Sequence, residues 1–181
     1  MLSQTLKPIG FNEPEKETWE HYRCRLSLPD HEATLEFYRQ VVYDHFNHFN
    51  EHYPDFELGD YGLGIEFLTA QQTYDQVRYL LNKPVDFWRE QYDDFKVRNH
   101  PYIIYQRMAA NLTPPFPPVL VQSTLLADDD WRVYGRDLHL IEGTHRVGYL
   151  RRMLELGEIG PDSLHKFVVL RPRETATARR Q

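Results

Sequence analysis

Cysteine is almost absent from this chain, with Cys24 the only one in 181 residues. One thiol closes no intramolecular disulfide and builds no cysteine-based zinc cluster, and such scarcity fits a reducing compartment. Long apolar runs are missing as well. No stretch reaches the roughly 20 residues that a membrane-crossing helix needs, and residues 1–7 are too short and polar for a signal peptide. These absences lead to the expectation of a cytoplasmic protein with no membrane partner. No period of about 20–50 residues repeats along the chain, which excludes a solenoid. A basic excess is also lacking: the net charge is −6, with 11 basic against 18 acidic residues over 1–110 and 10 against 9 over 111–181. Nucleic acid as a partner is therefore disfavoured, because the acidic part repels a polyanion.

Aromatic residues are abundant, and 20 of the 25 lie within residues 1–110. A large aromatic core between helices accounts for them better than a base-stacking surface. From Pro29 and Asp30, apolar Leu35, Tyr38, Val42, Phe46, Phe49 and Tyr53 recur at helical spacing, with Asp30 as the expected N-cap and Pro54 as the stop. Further helices are expected from Thr69 or Thr73 through Leu81, after Pro84 through Phe95, and from Tyr102 to Ala110. Between the first two, residues 59–64, Gly-Asp-Tyr-Gly-Leu-Gly, read as a flexible turn. A proline run at 114–118 marks a junction, since four prolines in five residues favour an extended connector. Beyond it, Val119-Leu120-Val121, Leu138 to Ile141 and Phe167 to Leu170 read as strands, and Val147 to Leu156 as a helix closed by Gly157. The division expected is a helical region over 1–110, a compact domain over 111–170 and a disordered tail over 171–181.

The chemistry concentrates in Glu142-Gly143-Thr144-His145-Arg146. A buried strand leads into a glycine turn and then into a helix whose first turn carries a hydroxyl, an imidazole and a guanidinium. Helix N-termini present unpaired N–H groups at the positive end of the dipole, a natural seat for phosphate. Gly143 permits the tight turn, Thr144 and the backbone donate to phosphate oxygens, and His145 and Arg146 add charge-assisted bonds. Glu142 is placed to deprotonate an acceptor or to hold Mg2+ through water, so Glu142 and His145 are the candidate catalytic groups.

That motif, the proline-led strand before it and the valine-rich strand after it resemble the ParB/sulfiredoxin-like superfamily over 117–170. The resemblance implies an α+β fold, a helical N-terminal region packed on a small mixed-sheet domain. It also implies that ATP, ADP or CTP is bound through Gly143, Thr144, His145 and Arg146, with Mg2+ assisting. The form of the motif is nearest to the free serine kinase branch, with Glu for Asp and Thr for His. Thr144 stands where sulfiredoxins place their reactive cysteine, so that chemistry is excluded. Few residues follow the last strand, leaving no helix-turn-helix module of the partition type. The function expected is a nucleotide-dependent phosphotransferase or NTPase acting on an unidentified small-molecule acceptor. The alternative is a nucleotide-sensing or nucleic-acid-associated regulator without catalysis.

Further contacts to nucleotide are expected from Gln122, Ser123 and Thr124 after the first strand of the domain, and from Arg132 and Arg136 ahead of the motif strand. Arg151 and Arg152 read as a solvated helix face. Asp128, Asp129 and Asp130 read as a solvated acidic loop. His45, His48 and His52 have metal-ligand spacing on one helix. Histidines shielding the edge of a core are the commoner explanation, and a histidine-ligated metal hydrolase stands third.

Overall fold

The computed structural model describes residues 1–79, 83–122 and 138–173. Helices and strands are mixed in an α+β class, with a five-stranded mixed sheet. The chain forms two compact units, Met1–Gly64 together with the described residues from Leu170 onward, and Ile65–Val169. The proline run at 114–118 therefore lies inside the second unit instead of marking a boundary, and the residues before it from Leu68 onward share a core with the strands after it.

In the first unit, α1 (Trp19–Arg25) starts at Thr18, whose side chain accepts from the N–H of His21. The long helix expected over 29–53 is three segments: α2 (Glu32–Phe37), a π-helical stretch (Tyr38–Tyr43) and α3 (Asp44–His52). His31, not Asp30, is the N-cap. Of the expected apolar face Val42, Phe46, Phe49 and Tyr53 are buried, whereas Leu35 and Tyr38 are only half-buried and Ala33, Phe37 and Val41 are buried in their place. Aromatic rings fill the core they form. Phe37 and Phe56 each meet Phe49 edge-on, and Phe56 stacks on Tyr61 at 4.8 Å. Buried Glu17 takes Arg25 through both carboxylate oxygens and also accepts from the Ile9 N–H, which holds its carboxyl below the usual range.

β1 (Tyr61–Thr69) corrects the expected turn at 59–64: only Leu58–Asp60 is a tight 3-10 turn, and the strand begins at Tyr61. Glycine at 62 and 64 disguised an extended segment. Thr69 then caps α4 (Ala70–Gln76) in a reciprocal box with Gln72. That helix stops before Val77, which enters β2 (Val77–Arg78); Leu80 and Leu81 lie outside the described residues. α5 (Lys83–Arg98) and α6 (Ile103–Asn111) follow, and Leu112 at φ +56° ends the second of these. β3 (Val119–Gln122), β4 (Leu138–Glu142), α7 (Thr144–Glu155) and β5 (Leu164–Pro172) complete the chain. Arg171 and Pro172, assigned from sequence to the tail, belong to β5, while 174–181 lie outside the described residues.

The sheet order is β1-β5-β3-β4-β2. β4 runs antiparallel to β3 and parallel to β2, so both its edges are paired, and Leu138 and Leu140 are buried. α7 packs Val147, Leu150 and Met153 into the core of the second unit, with Val85, Tyr92, Leu140 and Phe167 among the surrounding groups. α5 lies close against α7 at Gly148, where an added Cβ would stand 2.7 Å from the Val85 carbonyl oxygen and 2.9 Å from the Arg89 nitrogen. Two ion pairs extend the same contact, Asp93 with Arg152 at 2.6 Å and Arg89 with Glu155 at 3.3 Å.

Candidate functional site

β4 delivers Glu142 to a turn that only glycine fits. Gly143 has φ +109°, and a Cβ there would lie 2.8 Å from Pro118 Cβ and 3.0 Å from Arg146 Nη2. The residue is the N-cap of α7, and no side chain caps the helix. The N–H of Val147 bonds the Gly143 carbonyl, so the N–H groups of Thr144 and His145 lie ahead of the first intrahelical bond. Thr144, half-buried, stands at the first helical position.

Arg146 turns back beside this turn. Its guanidinium donates to the Phe116 carbonyl and to Glu142 Oε1, each at 3.1 Å, with only 7% of the side chain exposed. It thereby ties the end of β4 to the segment preceding β3 and stands close beside Gly143, its charge paired with the Glu142 carboxylate. His145 is held by two aromatic residues. Its Nδ1 lies 2.5 Å from the Tyr102 hydroxyl, and its ring centroid is 3.5 Å from that of Trp88. Burial, aided by the Arg146 charge, pushes the imidazole down to about 4, so it is neutral at physiological pH. On β4, three positions before Glu142, His139 is 3% exposed and pushed down to about 3 by burial, with Tyr79 stacked at 6.0 Å. Burial and the nearby Glu142 charge raise the Tyr79 phenol.

The turn thus gathers Glu142, Gly143, Thr144, His145 and Arg146 with three aromatic residues that sequence reasoning did not single out: Tyr79, Trp88 and Tyr102. They come from β2, α5 and α6 and the segments beside them, 40 to 60 positions away, with no local signal beyond their aromatic density. Gln122 ends β3 half-buried, paired in register with Leu138. Ser123, Thr124, Arg132, Arg136 and the triple aspartate lie outside the described residues. Arg151 is not on a solvated face: it is 6% exposed and donates to the Val77 carbonyl at 2.5 Å. Arg152 is half-exposed in its pair with Asp93.

Among the histidines, His45 has non-helical φ −130° and ψ 28°, at a kink where the π-helical stretch gives way to α3. The metal-competent group among the described residues is instead His48, Glu51 and His52. The non-helical backbone at His45 itself breaks the regular wheel drawn through 45, 48 and 52, so His45 leaves the face that His48 and His52 share. No described helix is long and apolar enough to cross a membrane. Comparison with known proteins gives no match to a family model, to a curated protein or to a solved structure.

Proposed function

We propose that the unit formed by Ile65–Val169 binds the phosphates of a nucleotide at the β4–α7 turn, in the manner of the ParB/sulfiredoxin-like superfamily that its motif resembles. The observation that carries this reading is the helix start itself: a glycine N-cap at φ +109°, no side-chain cap, and a guanidinium locked beside it. The backbone N–H groups of Thr144 and His145 at the helix start and the dipole's positive end favour an anion there. Thr144 adds a hydroxyl donor. In the tautomer in which Tyr102 donates to Nδ1, neutral His145 carries its proton on Nε2 and is a further donor. Arg146 acts through its charge and by holding Glu142 and the turn in place.

Phosphoryl transfer follows from the position of Glu142. The oxygen of an acceptor hydroxyl bonds to phosphorus as the bond to the leaving nucleotide oxygen breaks, and the hydroxyl proton passes to the Glu142 carboxylate. Mg2+ in such a site neutralises charge on the phosphates, and one carboxylate together with substrate phosphates and water is an ordinary ligand set for it; Glu142 would be the protein ligand. The Arg146 pair supports a second reading, nucleotide sensing without turnover, because a carboxylate already accepting from a guanidinium is less available as a base.

Thermal melts with ATP, ADP, CTP and GTP, each with and without Mg2+, test the binding. At least one nucleotide is expected to raise the melting temperature, and no shift with any of them sinks the proposal. Glu142→Gln separates the two readings: loss of turnover with binding retained supports transfer, and turnover unchanged removes Glu142 as the base.

A further inference from the structure

We propose that the last turn of α3 binds one divalent transition-metal cation of the zinc class, through the imidazoles of His48 and His52 with Glu51 as third ligand. The sequence His48-Phe49-Asn50-Glu51-His52 places its three ligating residues at i, i+3 and i+4, one face of a helix. Their ligating atoms all lie within 4.8 Å of one another. Ligands about 2.0–2.2 Å from a tetrahedral zinc ion are about 3.3–3.5 Å apart, so small side-chain rotations close the site around an ion.

The tautomer of one ligand is already set. His52 Nδ1 lies 2.9 Å from the His48 carbonyl oxygen. A carbonyl only accepts, so Nδ1 carries the proton and the Nε2 lone pair is the one directed outward. That is the outer hydrogen bond by which proteins orient metal-binding histidines. The residues between the ligands fix the turn from the other side. Phe49 is 2% exposed among Phe37, Tyr53 and Phe56, and Asn50 Oδ1 accepts from the Leu2 N–H at 2.7 Å. The ligands therefore project from a rigid backbone, with His48 and Glu51 exposed and His52 half-buried.

The position on the helix favours a cation as well, because the C-terminal turn is the negative end of the dipole. Two imidazoles and one carboxylate select zinc, copper, nickel or cobalt over the oxygen-loving magnesium and calcium. Three protein ligands leave one tetrahedral position for water, so the site is open to solvent and to a small anion. It belongs to the first unit and does not depend on the phosphate reading above.

The test is calorimetric titration of zinc chloride into the full, untagged, metal-free chain, repeated with His48→Ala, His52→Ala, Glu51→Gln and His45→Ala. One saturable equivalent is expected. Each of the two histidine substitutions should weaken it by on the order of tenfold or more, Glu51→Gln should weaken it less, and His45→Ala should leave it unchanged. Melting of the metal-free His48→Ala and Glu51→Gln proteins should match the parent, since both residues are exposed. Cobalt binding followed by absorbance should show a ligand-field band in the parent that the His48→Ala/His52→Ala double variant lacks. The proposal is overturned by the absence of a saturable equivalent, by affinity unchanged in the double variant, or by equal loss with His45→Ala.

Discussion

Gly148→Ala should destabilise the protein although it places a better helix former inside a helix. Taken alone, the propensity gain is about 1 kcal/mol. Against it stands the packing of α5. The new methyl carbon would meet the Val85 carbonyl oxygen at 2.7 Å, the Arg89 nitrogen at 2.9 Å and Trp88 Cβ at 2.9 Å. Two of these three atoms are backbone and cannot rotate away, so α5 must retreat by about 0.7 Å to restore ordinary contact. Overpacking of this kind costs about 1–3 kcal/mol, and the upper part of that range applies where only a helix can yield. The net expected loss is about 1–2 kcal/mol. Urea unfolding measures it, and near-UV circular dichroism adds a local readout, because the shift would part Trp88 from His145, now 3.5 Å apart between ring centroids. Unchanged or increased stability would refute the close approach of α5 and α7, and with it the placement of Trp88 at the candidate site.

Stability should also fall as the pH is lowered from about 6.5 toward 4. Buried His139 and His145, and His165 in the same direction, are held below the ordinary histidine range in the folded chain. In that window the unfolded chain binds protons that the folded chain refuses. Each histidine therefore removes up to about 1.4 kcal/mol per pH unit, His145 less because it is partly exposed. Urea midpoints from pH 7 to 5 should show this slope, and His139→Gln should flatten it; a profile flat from the start would contradict the burial. Arg146→Lys should cost about 1–3 kcal/mol, since a lysine cannot bridge Glu142 and the Phe116 carbonyl as the planar fork does. Thermal or urea denaturation checks that, and a neutral result would mean that the guanidinium does not hold the turn.

The strand, glycine turn and helix at 138–155 were legible because each obeys a local rule: an apolar run, a residue free to take positive φ, and spacing of three and four. The helices after Pro84 and from Tyr102 were legible for the same reason. What surrounds the turn was not. Tyr102 on His145 and the Phe116 carbonyl on Arg146 are contacts over 43 and 30 positions, and no local pattern announces them. Arg151 read as solvated because a guanidinium that finds a backbone carbonyl inside the fold looks like any other arginine on a helix. β1 was hidden by glycines that serve a strand as well as they serve a turn. His45 was grouped with His48 and His52 because regular helical pitch was assumed through a residue whose backbone is kinked.

Thr144→Glu separates phosphate binding from folding most directly. A carboxylate in the first turn suits the helix dipole by about 0.3–1 kcal/mol, so the variant should melt at or above the parent temperature. The same carboxylate repels phosphate from the uncapped N–H groups. With nucleotide at 100 times its dissociation constant, the parent should gain about 2.7 kcal/mol, roughly 5–10 °C in melting temperature for a chain of this size. The account predicts that shift in the parent and its loss in a Thr144→Glu protein that is otherwise as stable. An equal shift in both proteins would place the nucleotide elsewhere and contradict the assignment of the β4–α7 turn.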